Sequence, residues 1–193
     1  MVYTKYNTDE IKDKLRLCLT QERFEHSMGV MEKAEELAAR FGADIKKARC
    51  AGILHDCAKC LSKEEMLKYK YCLSECELLS PKTWHAPIGA AIAEKDYGIT
   101  DSSILSAVRL HTIGSKNMTD FDKIIYLADK IETRTREKEY REKIEAALNK
   151  RNSLDDAVLE SFKITIESLV KRELPVCFQT IDVYNSLIEK CKN

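Results

Sequence analysis

The sequence is poor in residues that interrupt helices, with only 6 glycines and 3 prolines among 193 residues. It also has almost none of the alternation of apolar and polar residues that is typical of β-strands. Alanine, leucine, glutamate and lysine are frequent, and apolar residues recur at helical spacing in several long segments. These features argue against a sheet-based fold and predict an all-α protein.

Neither sign of charge is in excess, because 32 lysines and arginines face 32 aspartates and glutamates. A balanced chain has no overall field that would attract nucleic acid or an acidic membrane. No apolar run approaches the roughly 20 residues needed to span a bilayer, and the first ten residues contain no basic segment leading into an apolar one. We therefore expect a cytoplasmic protein that binds a small molecule, with no nucleic acid or membrane as partner.

The chain has eight cysteines, but it is longer and poorer in loops than a secreted disulfide scaffold. We therefore expect reduced thiols. The pairs Cys57 with Cys60 and Cys72 with Cys76 are spaced like zinc ligands, which leaves a structural or regulatory zinc site open as an alternative. Free cysteines are also common as small core residues.

Capping residues and stop signals divide the chain into helices within one predicted domain, residues 1–193. Its motif-bearing core is expected at about 20–133, followed by additional C-terminal helices at about 137–192. The first four helices are predicted from Asn7 to about Leu19, from Thr20 to Phe41, from Asp44 to Leu54, and from near Ser62. The later ones are predicted between Pro87 and Tyr97, after Asp101, after Thr119, and over Glu137–Leu148, Ser153–Arg172 and Thr180–Lys192.

The four histidines of the chain are separated by 29, 30 and 26 residues. Each interval is long enough for a helix, a turn and a return, so an antiparallel bundle could bring His26, His55, His85 and His111 together. A single histidine on an apolar face is more often a hydrogen-bonded core residue. Asp129, however, also lies on an apolar helix face, where a carboxylate is costly to bury without a cation.

Asp56 directly follows His55, so imidazoles and carboxylates are expected at one place. Such a mixed ligand set suits iron, manganese or zinc better than magnesium or calcium. A bound metal ion lowers the pKa of a coordinated water to about 7 and polarises a phosphoryl oxygen. The sequence thus predicts metal-dependent hydrolysis.

Basic residues flank these positions and could neutralise phosphate groups, although each could equally be a solvated surface residue. Lys59 lies three residues after Asp56, and Arg23 lies three residues before His26. Arg134 and Arg136 follow the Asp129 helix. Several such charges would suit a polyphosphate substrate.

Five segments between about residues 20 and 133 together resemble the HD-domain phosphohydrolases, a family named for a His-Asp pair that is His55-Asp56 here. These segments are Arg23–Val30, Ala51–Lys59, His85–Ala90, His111–Gly114 and Ala128–Glu132. The resemblance is to the bacterial YqeK-like branch, and it implies an HD-domain helical bundle. It also implies symmetrical hydrolysis of diadenosine tetraphosphate, a dinucleoside polyphosphate, to two ADP by a metal-bound hydroxide. Iron is the metal implied, as one or two ions, and a homodimer is a possible assembly.

The same resemblance implies roles for individual residues. The implied metal ligands are His26, His55, Asp56 and Asp129, with His85 and His111 added if a second ion is present. The implied catalytic residues are Asp56, Lys59, His85 and His111. The flanking basic residues and the resemblance together give the predicted substrate contacts, which are Arg23, His26, Lys59, His85, His111, Thr112, Asp129, Arg134, Arg136 and Thr180.

The chain departs from the family pattern at positions expected near the substrate. Thr133 and Thr135 stand where proline and arginine are usual, and Cys177 and Phe178 stand where histidine and proline are usual. These departures leave open a nucleotidase or phosphodiesterase acting on another nucleotide. A nucleotide-sensing module without turnover and a di-iron oxygenase are further alternatives.

Overall fold

The computed structural model of the protein describes residues 7–192, which contain eleven α-helices, two short 3-10 turns and no β-strand. The all-α prediction is confirmed. The first six helices are α1 (Thr8–Cys18), α2 (Gln21–Phe41), α3 (Ile45–Leu54), α4 (Lys63–Leu67), α5 (Glu75–Leu78) and α6 (His85–Tyr97). The remaining five are α7 (Ser102–Leu110), α8 (Asp120–Ile131), α9 (Lys138–Arg151), α10 (Leu154–Lys171) and α11 (Phe178–Lys192).

Helix boundaries follow the capping residues of the sequence. The side chains of Thr20, Asp44 and Thr119 accept hydrogen bonds from backbone N–H groups of the first turns of α2, α3 and α8. Gly42 and Gly98 end α2 and α6 with φ angles of 70° and 66°, in the left-handed region that glycine adopts without steric cost. These starts and stops agree with the prediction.

Some predicted boundaries are wrong by a few residues. Helix α6 begins at His85 and not at Pro87, because proline is tolerated in a first turn, where its missing N–H has no helical partner. Helix α9 continues to Arg151, and α11 begins at Phe178. No element was predicted between residues 70 and 84, where the structure has α5 and the 3-10 turns Lys70–Cys72 and Pro81–Thr83.

The centre of the fold is formed by α2, α3, α7 and α8, which pack against one another. Gly52 lets α3 approach α2 closely, since a Cβ atom there would lie 2.9 Å from the Cα atom of Met31. Helix α10 packs against α8, α9 and α11, and the stacked rings of Tyr126 and Phe162 lie 5.6 Å apart between α8 and α10. Within residues 7–192, no helix is long and apolar enough to cross a membrane.

A disulfide bond joins Cys76 of α5 to Cys177, the residue before α11. The expectation of reduced thiols is therefore wrong for this pair, whose Cα atoms lie 5.4 Å apart. The two cysteines are 101 residues apart in the chain, so folding alone brings them together and their spacing carried no signal. The division into one domain is a prediction that the structure leaves untested.

Candidate metal centre

Five elements of the fold deliver histidine and aspartate side chains to one buried place. His26 lies in the second turn of α2, His55 and His111 directly follow α3 and α7, His85 begins α6, and Asp129 lies in α8. The ring centroid of His55 lies 5.1 Å from that of His26 and 4.9 Å from that of His111. The ring centroids of His85 and His111 are 5.0 Å apart. The predicted meeting of the four histidines is thus present in the structure.

The donor atoms form two groups that share His55. In the first, His26 Nε2 lies 3.0 Å from Asp129 Oδ1 and 3.2 Å from His55 Nε2. In the second, Asp56 Oδ2 lies 3.7 Å from His55 Nε2, and Asp56 Oδ1 lies 3.6 Å from His111 Nε2. The ligand atoms of each group all lie within 4.8 Å of one another, as they would around a metal ion.

The outer nitrogens of three of these histidines are fixed by hydrogen bonds. His55 Nδ1 donates to the Gly52 carbonyl at 2.7 Å, and His111 Nδ1 donates to the Val108 carbonyl at 2.6 Å. His26 Nδ1 donates to Glu132 Oε1 at 3.2 Å. In the neutral rings the proton is therefore on Nδ1, and each Nε2 presents a lone pair to the centre.

This arrangement fits a cation. The Nε2 atoms of His26 and His55 face each other at 3.2 Å, and in the neutral rings no proton lies between them. Two lone pairs at this distance repel, and a positive ion bound to both relieves that repulsion. The imidazole and carboxylate donors therefore match the mixed ligand set that the sequence predicts for a metal ion.

The protonation states of His55 and Asp56 suit metal binding, whereas the raised pKa of His26 means that a metal ion has to displace a proton there. Burial lowers the pKa of His55 to about 3, so its ring is neutral at physiological pH. Burial by itself raises the pKa of Asp56, but the His55 and His111 rings and the Lys59 ammonium hold it well below its usual range. Burial alone would lower the pKa of His26. Its hydrogen bonds with carboxylates raise the pKa by more than burial lowers it, so the net shift is upward.

Asp129 is supported by two cations. Lys130 Nζ donates to its Oδ2 atom at 2.7 Å, while the Arg136 guanidinium donates to its carbonyl oxygen at 2.7 Å and to its Oδ1 atom. Burial raises the pKa of Asp129, but these two cations outweigh it and keep the carboxylate ionised. Arg136 was predicted as a substrate contact, and the structure places its guanidinium against Asp129, a predicted metal ligand.

A second set of predicted residues lies at the solvent side of the cluster. Lys59 Nζ lies 3.0 Å from His85 Nε2 and 3.7 Å from Asp56 Oδ1, and Arg23 Nη1 lies 3.6 Å from Asp56 Oδ2. The side chains of Lys59 and Arg23 are 27% and 43% exposed. Both cations can therefore meet a molecule arriving from solvent.

For three other predicted substrate contacts, the structure gives no side-chain hydrogen bond or ion pair with the histidine and aspartate cluster within the described residues. The Arg134 guanidinium pairs with Glu25 and Glu32 at the surface. Thr112 follows His111, and its hydroxyl oxygen has no hydrogen-bond partner within the described residues. Thr180 is buried in α11, and across residues 7–192 no hydrogen bond or ion pair links its side chain to the histidine cluster.

Lys130, Glu132 and Thr135 also belong to this centre, although they were not among the predicted site residues. Glu132 follows Asp129 by three residues, so the two carboxylates share a helix face, and this spacing was a usable signal. Thr135 Oγ1 lies 3.0 Å from His26 Nδ1, a contact between residues 109 positions apart that the spacing could not reveal.

The cysteine alternative finds no support in the part of the chain that the structure describes. Both donor groups of metal-binding geometry there consist of histidine and aspartate. Cys57 instead donates to the Gly89 carbonyl, and Cys76 is in the disulfide.

Comparison with known proteins places this centre in a family. The HD-domain family model matches residues 23–134, which include all of the histidines and aspartates described above. The chain therefore belongs to the HD-domain family, and the predicted resemblance is confirmed.

Two similar proteins carry the same name, symmetrical bis(5'-nucleosyl)-tetraphosphatase. The one from Bacillus subtilis (strain 168) is 40% identical over 94% of this chain and 98% of its own length. The one from Staphylococcus aureus (strain NCTC 8325 / PS 47) is 34% identical, covering 93% of each chain. A crystal structure of a predicted HD superfamily hydrolase involved in NAD metabolism from Clostridium acetobutylicum superposes with a TM-score of 0.88, at 34% identity, over 96% of this chain and 98% of the other.

Proposed function

We propose that this protein is a metal-dependent hydrolase that cleaves diadenosine tetraphosphate symmetrically into two ADP. The observation that carries this proposal is a buried set of inward-facing imidazole and carboxylate donors bordered by two partly exposed cations, Lys59 and Arg23. The imidazole and carboxylate donors suit a metal ion, and the two cations suit a polyphosphate. The names of the B. subtilis and S. aureus proteins point to the same reaction.

Iron is the metal that we propose, held by His26, His55, Asp56 and Asp129. His85 and His111, with Asp56 Oδ1 at 3.2 Å and 3.6 Å from their Nε2 atoms, are suited to hold a second ion. When bound, such an ion lowers the pKa of a coordinated water to about 7 and polarises a phosphoryl oxygen. Manganese and zinc suit the same donors and are distinguished by metal analysis.

The chain's own residues bind and orient the phosphates. Arg23 and Lys59 lie on the open side of Asp56, where their charges would hold the phosphate chain. A water oxygen adds to one inner phosphorus, the bond from that phosphorus to the central bridging oxygen breaks, and the bridging oxygen leaves with the other ADP. Lys59, His85 and His111 stabilise the negative charge that spreads over the reacting phosphoryl oxygens.

The test is an anaerobic purification followed by metal analysis and chromatography of the products from diadenosine tetraphosphate. In water labelled with heavy oxygen, symmetrical cleavage yields ADP alone, with the label in half of the ADP molecules. A double variant, His55→Ala with Asp56→Ala, should lose both metal and activity. The matched control is Glu32→Gln, which alters an exposed carboxylate that contacts Arg134 outside the centre.

Formation of ATP and AMP in equal amounts would contradict symmetrical cleavage while leaving the hydrolase assignment intact. A metal-loaded protein that leaves the dinucleotide uncut would contradict the substrate, and other nucleotides would be tested next. Absence of bound metal after anaerobic purification and reconstitution would contradict the proposal as a whole.

A further inference from the structure

Glu132 is completely buried at the end of α8, three residues after Asp129. Its carboxylate accepts hydrogen bonds from the backbone N–H groups of Arg134, at 2.6 Å, and Thr135, at 3.0 Å. It also accepts from the Thr135 hydroxyl and from His26 Nδ1, the latter at 3.2 Å. A buried carboxylate is stable only when hydrogen-bond donors replace the water that it loses. Here four donor groups do so, and they hold the Glu132 carboxylate in place.

These contacts determine which nitrogen of His26 carries the proton. Backbone N–H groups can only donate, and the Thr135 hydroxyl gives its proton to Glu132, so His26 Nδ1 meets oxygen atoms that accept. His26 Nδ1 must therefore donate, and in the neutral ring this leaves Nε2 with a lone pair aimed at His55 and Asp129.

Gly29 provides the space for this carboxylate. It lies three residues after His26 on α2, and a Cβ atom at this position would lie 2.4 Å from Glu132 Oε2 and 3.2 Å from Arg134 Cδ. Any other residue would displace Glu132 or its neighbour. The glycine in α2 and the glutamate at the end of α8 are therefore one packing unit.

We propose that Glu132 is a positioning residue that holds His26 in the tautomer able to bind the metal, and that Gly29 is required for Glu132 to reach it. This inference rests on the proposed metal site. Glu132 contacts the nitrogen of His26 that faces away from the donor cluster, so it acts through His26 and does not itself bind the ion. Its complete burial also excludes contact with substrate in this structure.

The isosteric change Glu132→Gln tests this inference sharply. The glutamine carbonyl oxygen must face the backbone N–H groups of Arg134 and Thr135, which cannot accept, so its NH2 group faces His26 Nδ1. An NH2 group facing Nδ1 favours the tautomer in which Nδ1 accepts and the proton is on Nε2, where the metal would bind. We expect Mn²⁺ affinity of the metal-free protein to fall about 10- to 100-fold.

Two readouts of E132Q do not depend on catalysis. Free Mn²⁺ is measured by electron paramagnetic resonance during titration of metal-free protein, and the protonated nitrogen of His26 is identified by ¹⁵N imidazole NMR at alkaline pH. The matched control E32Q removes a nearby charge that does not contact His26, and it should leave both readouts at wild-type values. Unchanged Mn²⁺ affinity in E132Q, or weakened affinity with the proton still on Nδ1, would overturn the proposal.

A second set of variants keeps the test valid if E132Q does not fold. Gly29→Ala should weaken Mn²⁺ binding by displacing Glu132, whereas Glu132→Asp shortens the side chain and makes room for the added methyl group. The double variant should therefore lose less affinity than the two single losses combined. Strictly additive losses would contradict the coupling. Because Mn²⁺ binding is measured without nucleotide, these results stand apart from a failure of the substrate proposal, which product analysis of the wild type reveals.

Discussion

The two sides of the metal centre differ in how their side chains are held. On the inner side, defined as His26, His55, His111 and Asp129, each group has a fixed partner behind it, such as the carbonyl of Gly52 behind His55. On the outer side, defined as Arg23, Lys59 and His85, the contacts are among the side chains themselves and with Asp56 and the His111 ring.

His85 shows this difference clearly, because its Nδ1 atom lies 3.2 Å from the Lys59 ammonium, which is a donor. Within the described residues, no carbonyl or carboxylate fixes the outer nitrogen of His85 as one does for His26, His55 and His111. Lys59 carries its charge on a flexible four-carbon stem and can exchange His85 for a phosphate oxygen. The inner side is thus set for a metal before binding, whereas the outer side can adjust to a substrate.

The largest effect should come from the inner side. In His55→Ala the two donor groups lose the ligand that they share, so we expect loss of stoichiometric metal and a fall in kcat/KM of about 10³-fold or more. Metal analysis and kinetics of the purified variant provide the measurement, with circular dichroism to verify its fold. Retention of stoichiometric metal would show that the inner side does not hold the ion.

The disulfide should contribute the next largest effect, and it acts on stability alone. Cys76→Ser opens a closed loop of about 100 residues and should lower the free energy of unfolding by about 2–4 kcal/mol. Denaturant unfolding under oxidising conditions measures this change, and metal content should remain that of the wild type. Cys72→Ser, which alters a nearby free cysteine, is the matched control and should change stability little.

Equal destabilisation in Cys72→Ser would show that the effect comes from local packing and not from the cross-link. A reductant should likewise destabilise the wild type and leave Cys76→Ser unchanged. Loss of metal in Cys76→Ser would contradict the expectation that the disulfide acts on stability and not on the metal centre.

A smaller effect is expected from the outer side. Lys59→Ala removes the ammonium beside Asp56, on a side chain that is 27% exposed, and we expect kcat/KM to fall about 10- to 100-fold with metal content unchanged. Lys59→Arg keeps the charge and should retain more activity than the alanine variant. If Lys59→Ala lost its metal, the distinction between the two sides would fail.

Much of this organisation could be predicted because it depends on local signals. Capping residues such as Thr20 and Asp44 act within one turn, and the spacing of the histidines follows from helix lengths. The contact of Glu132 with His26 joins residues 106 positions apart, and the disulfide joins residues 101 apart. Such pairs form only when helices pack, so the periodicity of a single sequence does not reveal them.

The smallest effect concerns Asp101, which caps α7 at the end opposite His111. Hydrogen bonds from Lys47 and Ser103 hold the pKa of Asp101 well below its usual value. A depressed folded-state pKa stabilises the protein above the unfolded-state pKa of about 4, and this stabilisation is lost as the pH falls through the lower, folded-state value.

Asp101→Asn keeps a capping side chain but removes the titrating charge, so at neutral pH we expect it to be less stable by at most about 1 kcal/mol. This difference should shrink steadily as the pH falls below about 4, because the unfolded state then binds a proton that the folded state does not. Urea unfolding of both proteins across this range measures it. A difference that stayed constant with pH would contradict the role of the charge. Because Asp101 lies a full helix away from His111, Mn²⁺ affinity at neutral pH should be the same in both proteins, and a change would show that the inner side depends on the whole of α7.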